Sequence, residues 1–96
     1  MKKSNRSRHE LLADILKSID TDGATIYEIQ SKTGISYQHL KKYLTYLVQN
    51  GLTIYSNKEK KFKMALTGML ALDKYIKMEE LLVRRTFNIE RSIHVQ

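Results

Sequence analysis

The stretch "SYQHLKKYLTYLVQNG", residues 36 to 51, constrains the fold more than any other part of the chain. Tyr37, Leu40, Leu44, Leu47 and Val48 recur at helical spacing and mark one apolar side. Gln38, Lys42, Thr45, Tyr46 and Gln49 fall opposite, flanked by His39 and Lys41. Ser36 suits the N-cap of a helix running to Asn50, and Gly51 suits its stop. The apolar side of such a helix must be buried by other elements of the same chain. Its outer side carries amide, imidazole, hydroxyl and ammonium groups and not one acid.

The flanking segments supply what could cover it. Leu11, Leu12, Ile15, Leu16 and Ile19 form an apolar stripe for a first helix, with Ser7 and Glu10 spaced as a capping box. The turn formers Asp20, Asp22 and Gly23 should end it. "ATIYEIQSKTG" reads as a short second helix capped by Thr25, with Ile26 and Ile29 facing inward and Gly34 at its end. After Gly51 the period changes from helical to alternating. Leu52 and Ile54 alternate with Thr53 and Tyr55, and Phe62, Met64 and Leu66 with Lys63 and Ala65. Two short strands joined by "NKEKK" make a β-hairpin with a basic tip. Thr67 is placed to cap a last helix beginning "GMLALDKYIKMEELL", where Gly68 is tolerable in a first turn.

The chain has 96 residues, enough for one small domain and too few for two independent cores. It has no cysteine, which excludes disulfides and thiolate chemistry, and no proline to force a rigid linker. No stretch approaches the roughly 20 apolar residues of a membrane span, and "MKKSNRSRHE" lacks the apolar run of a signal peptide. These features point to a cytoplasmic protein without a membrane partner. The formal net charge is +7, with a pI near 9.7, which points to an anionic partner. Lys2, Lys3, Arg6 and Arg8 crowd the N-terminal arm, and Lys58, Lys60, Lys61 and Lys63 surround the hairpin tip against Glu59 alone. Residues 10 to 28 hold Glu10, Asp14, Asp20, Asp22 and Glu28 against only Lys17. The molecule should therefore be electrostatically two-sided.

Three helices followed by a hairpin, with a tight turn between the second and third helices, is the order of a winged helix-turn-helix. The expected fold is mainly α with a small β-hairpin (α+β) and a long C-terminal helix. It divides into a basic arm over 1–8, the winged domain over 9–66, a dimerisation helix over 67–83 and a tail over 84–96. In this arrangement the outer side of the third helix is free to enter a DNA major groove. Gln38 can pair with an adenine edge, and Lys41 or Lys42 can reach guanine or phosphate. Ser36, His39, Thr45 and Tyr46 can serve phosphate oxygens. The same lysines also fit a plain solvated face, and a charged hairpin tip is common. His9, His39 and His94 lie far apart without spaced acids, so no metal is expected. No cofactor loop, carboxylate pair or nucleophile with its base occurs, so an enzyme is not expected.

The run "NRSRHELLADILKSI…GATIYEIQSKTGISYQHLKKYLTYLVQNGLTIY" resembles archaeal winged-helix proteins of the small basic DNA-binding type, with relatives in archaeal viruses and plasmids. The likeness extends over about residues 5 to 82 and is sharpest at "GISYQHLKKYLTYLVQNGLT". It implies a homodimer held by an antiparallel coiled coil of the last helices, with a third helix and wing from each subunit on DNA. Ala71, Tyr75, Met78 and Leu82 keep the 4-3-4 rhythm of such a seam, but the next position is Arg85. The expected function is double-stranded DNA binding by a dimeric transcriptional regulator. One alternative is a sequence-tolerant nucleoid protein, and another is a winged-helix module that docks proteins. The expected place is on DNA in the cytoplasm, the host's if a virus or plasmid encodes the chain.

Overall fold

The computed structural model describes the backbone of residues 6–95 and the side chains of residues 6–82. Its elements are α1 (Arg8–Lys17), α2 (Ile26–Thr33), α3 (Tyr37–Gln49), β1 (Thr53–Ser56), β2 (Lys61–Met64) and α4 (Leu66–Val95). This is the mainly α winged-helix order with a long last helix.

Local chemistry fixes the helix starts. Ser7 and Glu10 form a capping box on α1, and Thr25 and Glu28 form a second one on α2. Gly34 ends α2 at φ 74°, a left-handed conformation that allows the sharp turn into α3. Ser36 caps α3 through its hydroxyl. Ile15, Ile29, Leu40, Leu44 and Leu47 are the fully buried centre of the core, to which α1, α2 and α3 all contribute. Each such side chain stabilises the fold by roughly 1.5–3 kcal/mol relative to exposure.

Two polar braces hold α2 on α1. Arg6 donates to Asp14 Oδ2 at 2.7 Å and to the Thr33 carbonyl at 3.0 Å. Lys32 donates to the Ser18 carbonyl and to Asp20 Oδ2, both at 3.1 Å.

The hairpin differs from the sequence pattern in phase. Thr53 is 2% exposed whereas Ile54 is 57% exposed, the reverse of the apolar alternation. The register explains it: Thr53 pairs with Met64 and Tyr55 with Phe62, and Phe62 and Met64 pack on the core. Leu52 reaches the core from the turn before β1, where its N–H donates to the Leu47 carbonyl at 2.9 Å. A further link was not visible in the sequence. Ala24, between α1 and α2, exchanges both backbone hydrogen bonds with Phe62, at 2.9 and 2.8 Å.

The start of α4 also needs correction. The helix begins at Leu66, so Thr67 lies inside its first turn rather than capping it. The Thr67 hydroxyl instead donates to the Gly51 carbonyl at 2.5 Å. One residue on, Gly68 is buried against the backbone of Leu52, and a Cβ there would fall on the Leu52 carbonyl oxygen. Gly68 is thus the residue that lets α4 pass directly over the turn leaving α3.

This contact sets a test. By helix propensity, Gly68→Ala should stabilise by up to about 1 kcal/mol. The close backbone approach should reverse the sign, with destabilisation of about 1–3 kcal/mol as the first turn of α4 is pushed off Leu52. Urea denaturation decides it: a midpoint equal to or above that of the parent chain would show that α4 yields without cost.

Candidate nucleic-acid interface

The outer side of α3 is exposed along its length. Gln38, His39, Lys41, Lys42, Thr45, Tyr46 and Gln49 all reach solvent, while Leu40, Leu44 and Leu47 lie beneath. Lys41, Thr45 and Gln49 follow one another at intervals of four and form a crest along the helix. A cleft lies on each flank of that crest. One is lined by Arg8 and Leu12 of α1 with Gln38, Lys42 and Tyr46 of α3. The other lies toward the hairpin, with Tyr55 and Lys60 on its far wall. The three crest residues line both clefts.

The first turn of α3 holds no acid, unlike those of α1 and α2. His39 occupies the third helical position, where Glu10 and Glu28 stand in the other two. Its ring Nδ1 lies 2.9 Å from Ser36 Oγ, which also receives the His39 N–H at 3.4 Å. Ser36 is therefore engaged in holding the helix start. The Thr45 hydroxyl donates to the Lys41 carbonyl at 2.8 Å, leaving its lone pairs outward.

The basic residues separate into two groups. Among the described residues, the ion pairs are Arg6–Asp14, Lys32–Asp20, Lys63–Glu59 and Lys77–Asp73. Lys41, Lys42, Lys58, Lys60 and Lys61 take part in none of these and keep their charge available to an incoming anion. Arg6, grouped with the arm by sequence, is instead spent on the α1–α2 brace. Arg8, two residues on, stands beside the α3 crest. Lys2 and Lys3 lie outside the described residues.

The wing is built on a turn over residues 57–60 in which Lys60 adopts φ 59°, with its N–H donating to the Ser56 carbonyl at 2.7 Å. A lysine in the left-handed region costs roughly 1 kcal/mol that glycine would not. Glu59 binds Lys63 at 2.7 Å, and that hydrogen bond and charge hold its carboxyl below the usual range.

On α4, Leu72 packs on the core, while Ala71, Met78 and Leu82 are exposed. Tyr75 is half-buried, and desolvation followed by Glu79, Glu10 and Asp14 raises its phenol above the ordinary value. Two of those acids belong to α1, so Tyr75 stands at the border between its own domain and the exposed seam. Leu66, Met69, Leu70 and Leu81 are exposed as well.

Sequence reasoning placed Gln49 on the outer face but did not name it as a site residue, although its spacing from Lys41 and Thr45 signalled the crest. Tyr27, Tyr37 and Tyr55 escaped it for another reason. They come together only when α2, α3 and the hairpin are docked.

With this geometry in view, the chain belongs to the winged helix-turn-helix family, whose model matches residues 5–83. It is similar in fold to Sso10a-2, described as a DNA-binding protein from Sulfolobus solfataricus. The TM-score is 0.68 at 23% identity, over 90% of this chain and 95% of that one. It is also similar in fold to BpsR of Bordetella bronchiseptica, whose DNA binding is described as regulated by 6-hydroxynicotinic acid. There the TM-score is 0.68 at 15% identity, over 80% of this chain; the match spans 59% of the length of BpsR. No curated protein sequence matches the chain.

Two substitutions probe the interface through elution from a heparin column. His39→Glu completes a third capping box and should raise the stability of α3 by about 0.3–1 kcal/mol. The same change puts an acid at the tip of the basic face, so elution should move to lower salt. A variant that is stabilised yet elutes unchanged would show that this face does not meet the polyanion. Glu59→Gln releases Lys63 and removes the one acid of the hairpin tip, so elution should move to higher salt. Earlier elution would mean that Glu59 serves the wing structurally.

Proposed function

We propose that this protein binds double-stranded DNA as a dimeric transcriptional regulator. The α3 crest would enter the major groove, with the wing and Arg8 on the flanking backbones. The observation that carries this reading is the acid-free α3 face, its lysines outside every described ion pair and basic residues standing on both flanks. A helix of α3's diameter fits the major groove, and cations to either side fall where phosphates run. Gln38 is the residue proposed to read a base edge, since it is exposed in the first turn of α3 and can pair with adenine. Lys41, Lys42 and Thr45, with Lys58, Lys60 and Lys61, supply phosphate contacts or a guanine contact. Family membership and the fold likeness to a DNA-binding protein support the same assignment.

The dimer is proposed from α4. A winged-helix core needs only the first turns of that helix, where Gly68 and Leu72 are covered. Met78 and Leu82 remain 58% and 56% exposed on a seam shared with Ala71. A two-fold axis along the seam would present the same patch from both subunits and carry two α3 helices toward successive major grooves, roughly 34 Å apart.

DNA binding is tested by a salt titration of affinity. With on the order of 6–10 phosphate contacts per dimer, affinity should fall at least about a thousandfold between 50 and 200 mM salt. Replacing Lys58, Lys60 and Lys61 by Ala should weaken all sequences alike and lower the salt slope. Gln38→Ala should cost about 1–3 kcal/mol on a selected site and little on random DNA. Equal losses on both would favour the sequence-tolerant nucleoid reading, and a flat salt dependence would remove the phosphate contacts from this account.

Sedimentation equilibrium tests the dimer. The parent chain should be dimeric at tens of micromolar, and Met78→Lys combined with Leu82→Lys should give a folded monomer with weakened DNA binding. A monomeric parent chain without DNA would overturn it.

A further inference from the structure

The cleft between α3 and the wing has a lining that duplex binding leaves unexplained. Its volume is about 620 Å³, within the range of sites for small organic ligands. Aromatic rings stand on both of its walls. Tyr27 and Tyr37, from α2 and α3, stack at 6.0 Å with their planes 19° apart. Across the cleft, Tyr55 and Phe62 of the hairpin meet at 4.8 Å, tilted by 52°. Val48 and Leu44 contribute to its apolar lining. Two cations, Lys41 and Lys60, line it as well, and no acid does among the described residues.

Each part of that lining selects for something. Four aromatic side chains gathered in one cleft favour a flat π-system, which gains contact area against their rings at little conformational cost. Two ammonium groups without a counter-acid favour a negative charge at one edge. Duplex DNA offers phosphates to the lysines, but its π faces are closed within the stack, so it cannot fill the rest.

We infer that the α3–wing cleft is a binding site for a small planar aromatic carboxylate of one or two rings. The ring would lie between the Tyr27–Tyr37 and Tyr55–Phe62 walls, with its carboxylate toward Lys41 and Lys60. Both lysines are also proposed DNA contacts, so occupancy would compete with DNA; this coupling rests on the function proposed above. The binding site itself does not.

The test uses three probes with the same ring system and different charge: 2-naphthoate, neutral 2-naphthamide and cationic 2-naphthylmethylamine. Each is titrated into the free, isotope-labelled chain and followed by amide chemical shifts. Naphthoate should bind saturably at or below roughly 1 mM and shift residues of the cleft. The amide should bind about three- to tenfold more weakly and the amine more weakly still. Lys60→Ala should abolish most of the preference for naphthoate over the amide, while Tyr55→Ala or Tyr27→Ala should weaken both. Two aromatic variants are specified because Tyr55 lies in a strand, and the same spectra report whether each variant is folded.

No saturable shift, equal affinity for the three probes, or shifts confined to another surface would overturn the site. So would cleft shifts that depend on protein concentration alone, since a second copy of the chain would then occupy it. Preferential binding of a single-stranded oligonucleotide across the same residues would also overturn it. Competition is read separately: saturating naphthoate should raise the apparent Kd for duplex DNA at least about threefold, and an unchanged Kd would overturn the coupling. Because the titration contains no DNA, failure of the site and failure of the DNA reading give different results.

Discussion

The reciprocal hydrogen bonds between Ala24 and Phe62 hold the molecule's working surface together. A hairpin of two four-residue strands is marginal on its own, since it has little area to bury and two open edges. Ala24 closes one of those edges and ties it to the segment between α1 and α2. Gly23 makes the approach feasible: at φ 92° it turns the chain toward the hairpin, and a Cβ there would crowd the Phe62 carbonyl at 3.1 Å. Phe62 is thereby fixed both by its backbone and by packing against the core. The far wall of the α3–wing cleft, which includes Tyr55 and Lys60, inherits that position. Without this link the wing would be held only by the core packing of Phe62 and Met64 and by its junctions with α3 and α4, and the distance between its lysines and the α3 crest would be less tightly set.

The parts of the fold that were legible in the sequence depend on near neighbours. Ser7 with Glu10, Thr25 with Glu28, Ser36 and Gly34 act within a single turn, so spacing alone locates them. The α3 faces follow from helical geometry in the same way. What was not legible depends on distant partners. Ile54 has the more apolar side chain, yet Thr53 is buried, because the phase of β1 is set by its pairing with Met64 and Phe62. Thr67 looked like a cap because nothing in the local sequence shows that Gly51 lies within reach of its hydroxyl. Arg6 looked like an arm residue because its partners, Asp14 and the Thr33 carbonyl, converge only after α1 and α2 pack.

The three N-terminal helices also show how stability and access are balanced. In α1 and α2 a glutamate at the third position folds back onto the helix start, satisfying a backbone N–H and complementing the positive end of the dipole. In α3 the equivalent position is His39, whose ring turns to Ser36. The α3 terminus therefore keeps more of its positive potential than the other two. Glu10 and Glu28 each occupy the start of their own helix, so the start of α3 is the one of the three that carries no acid. Electrostatic complementarity of this kind acts on approach as well as on contact, because the potential extends about one Debye length from the surface, roughly 8–10 Å at moderate salt.

Gly68 has a mechanical consequence beyond packing density. With no side chain between them, the first turn of α4 rests directly on the peptide that leaves α3, and Thr67 fastens it to Gly51. The whole helix is 30 residues long, and the part beyond Gly68 extends about 40 Å at the usual rise. It is a long beam held near one end, where Gly68 rests backbone on backbone and Leu72 packs on the core. A tilt of one degree at the seat displaces the far end by roughly 0.7 Å, and a displacement imposed far out returns to the seat reduced in proportion. Sideways fluctuations of the distal helix therefore reach α3 strongly attenuated, while a sustained torque on the beam acts on it with full leverage.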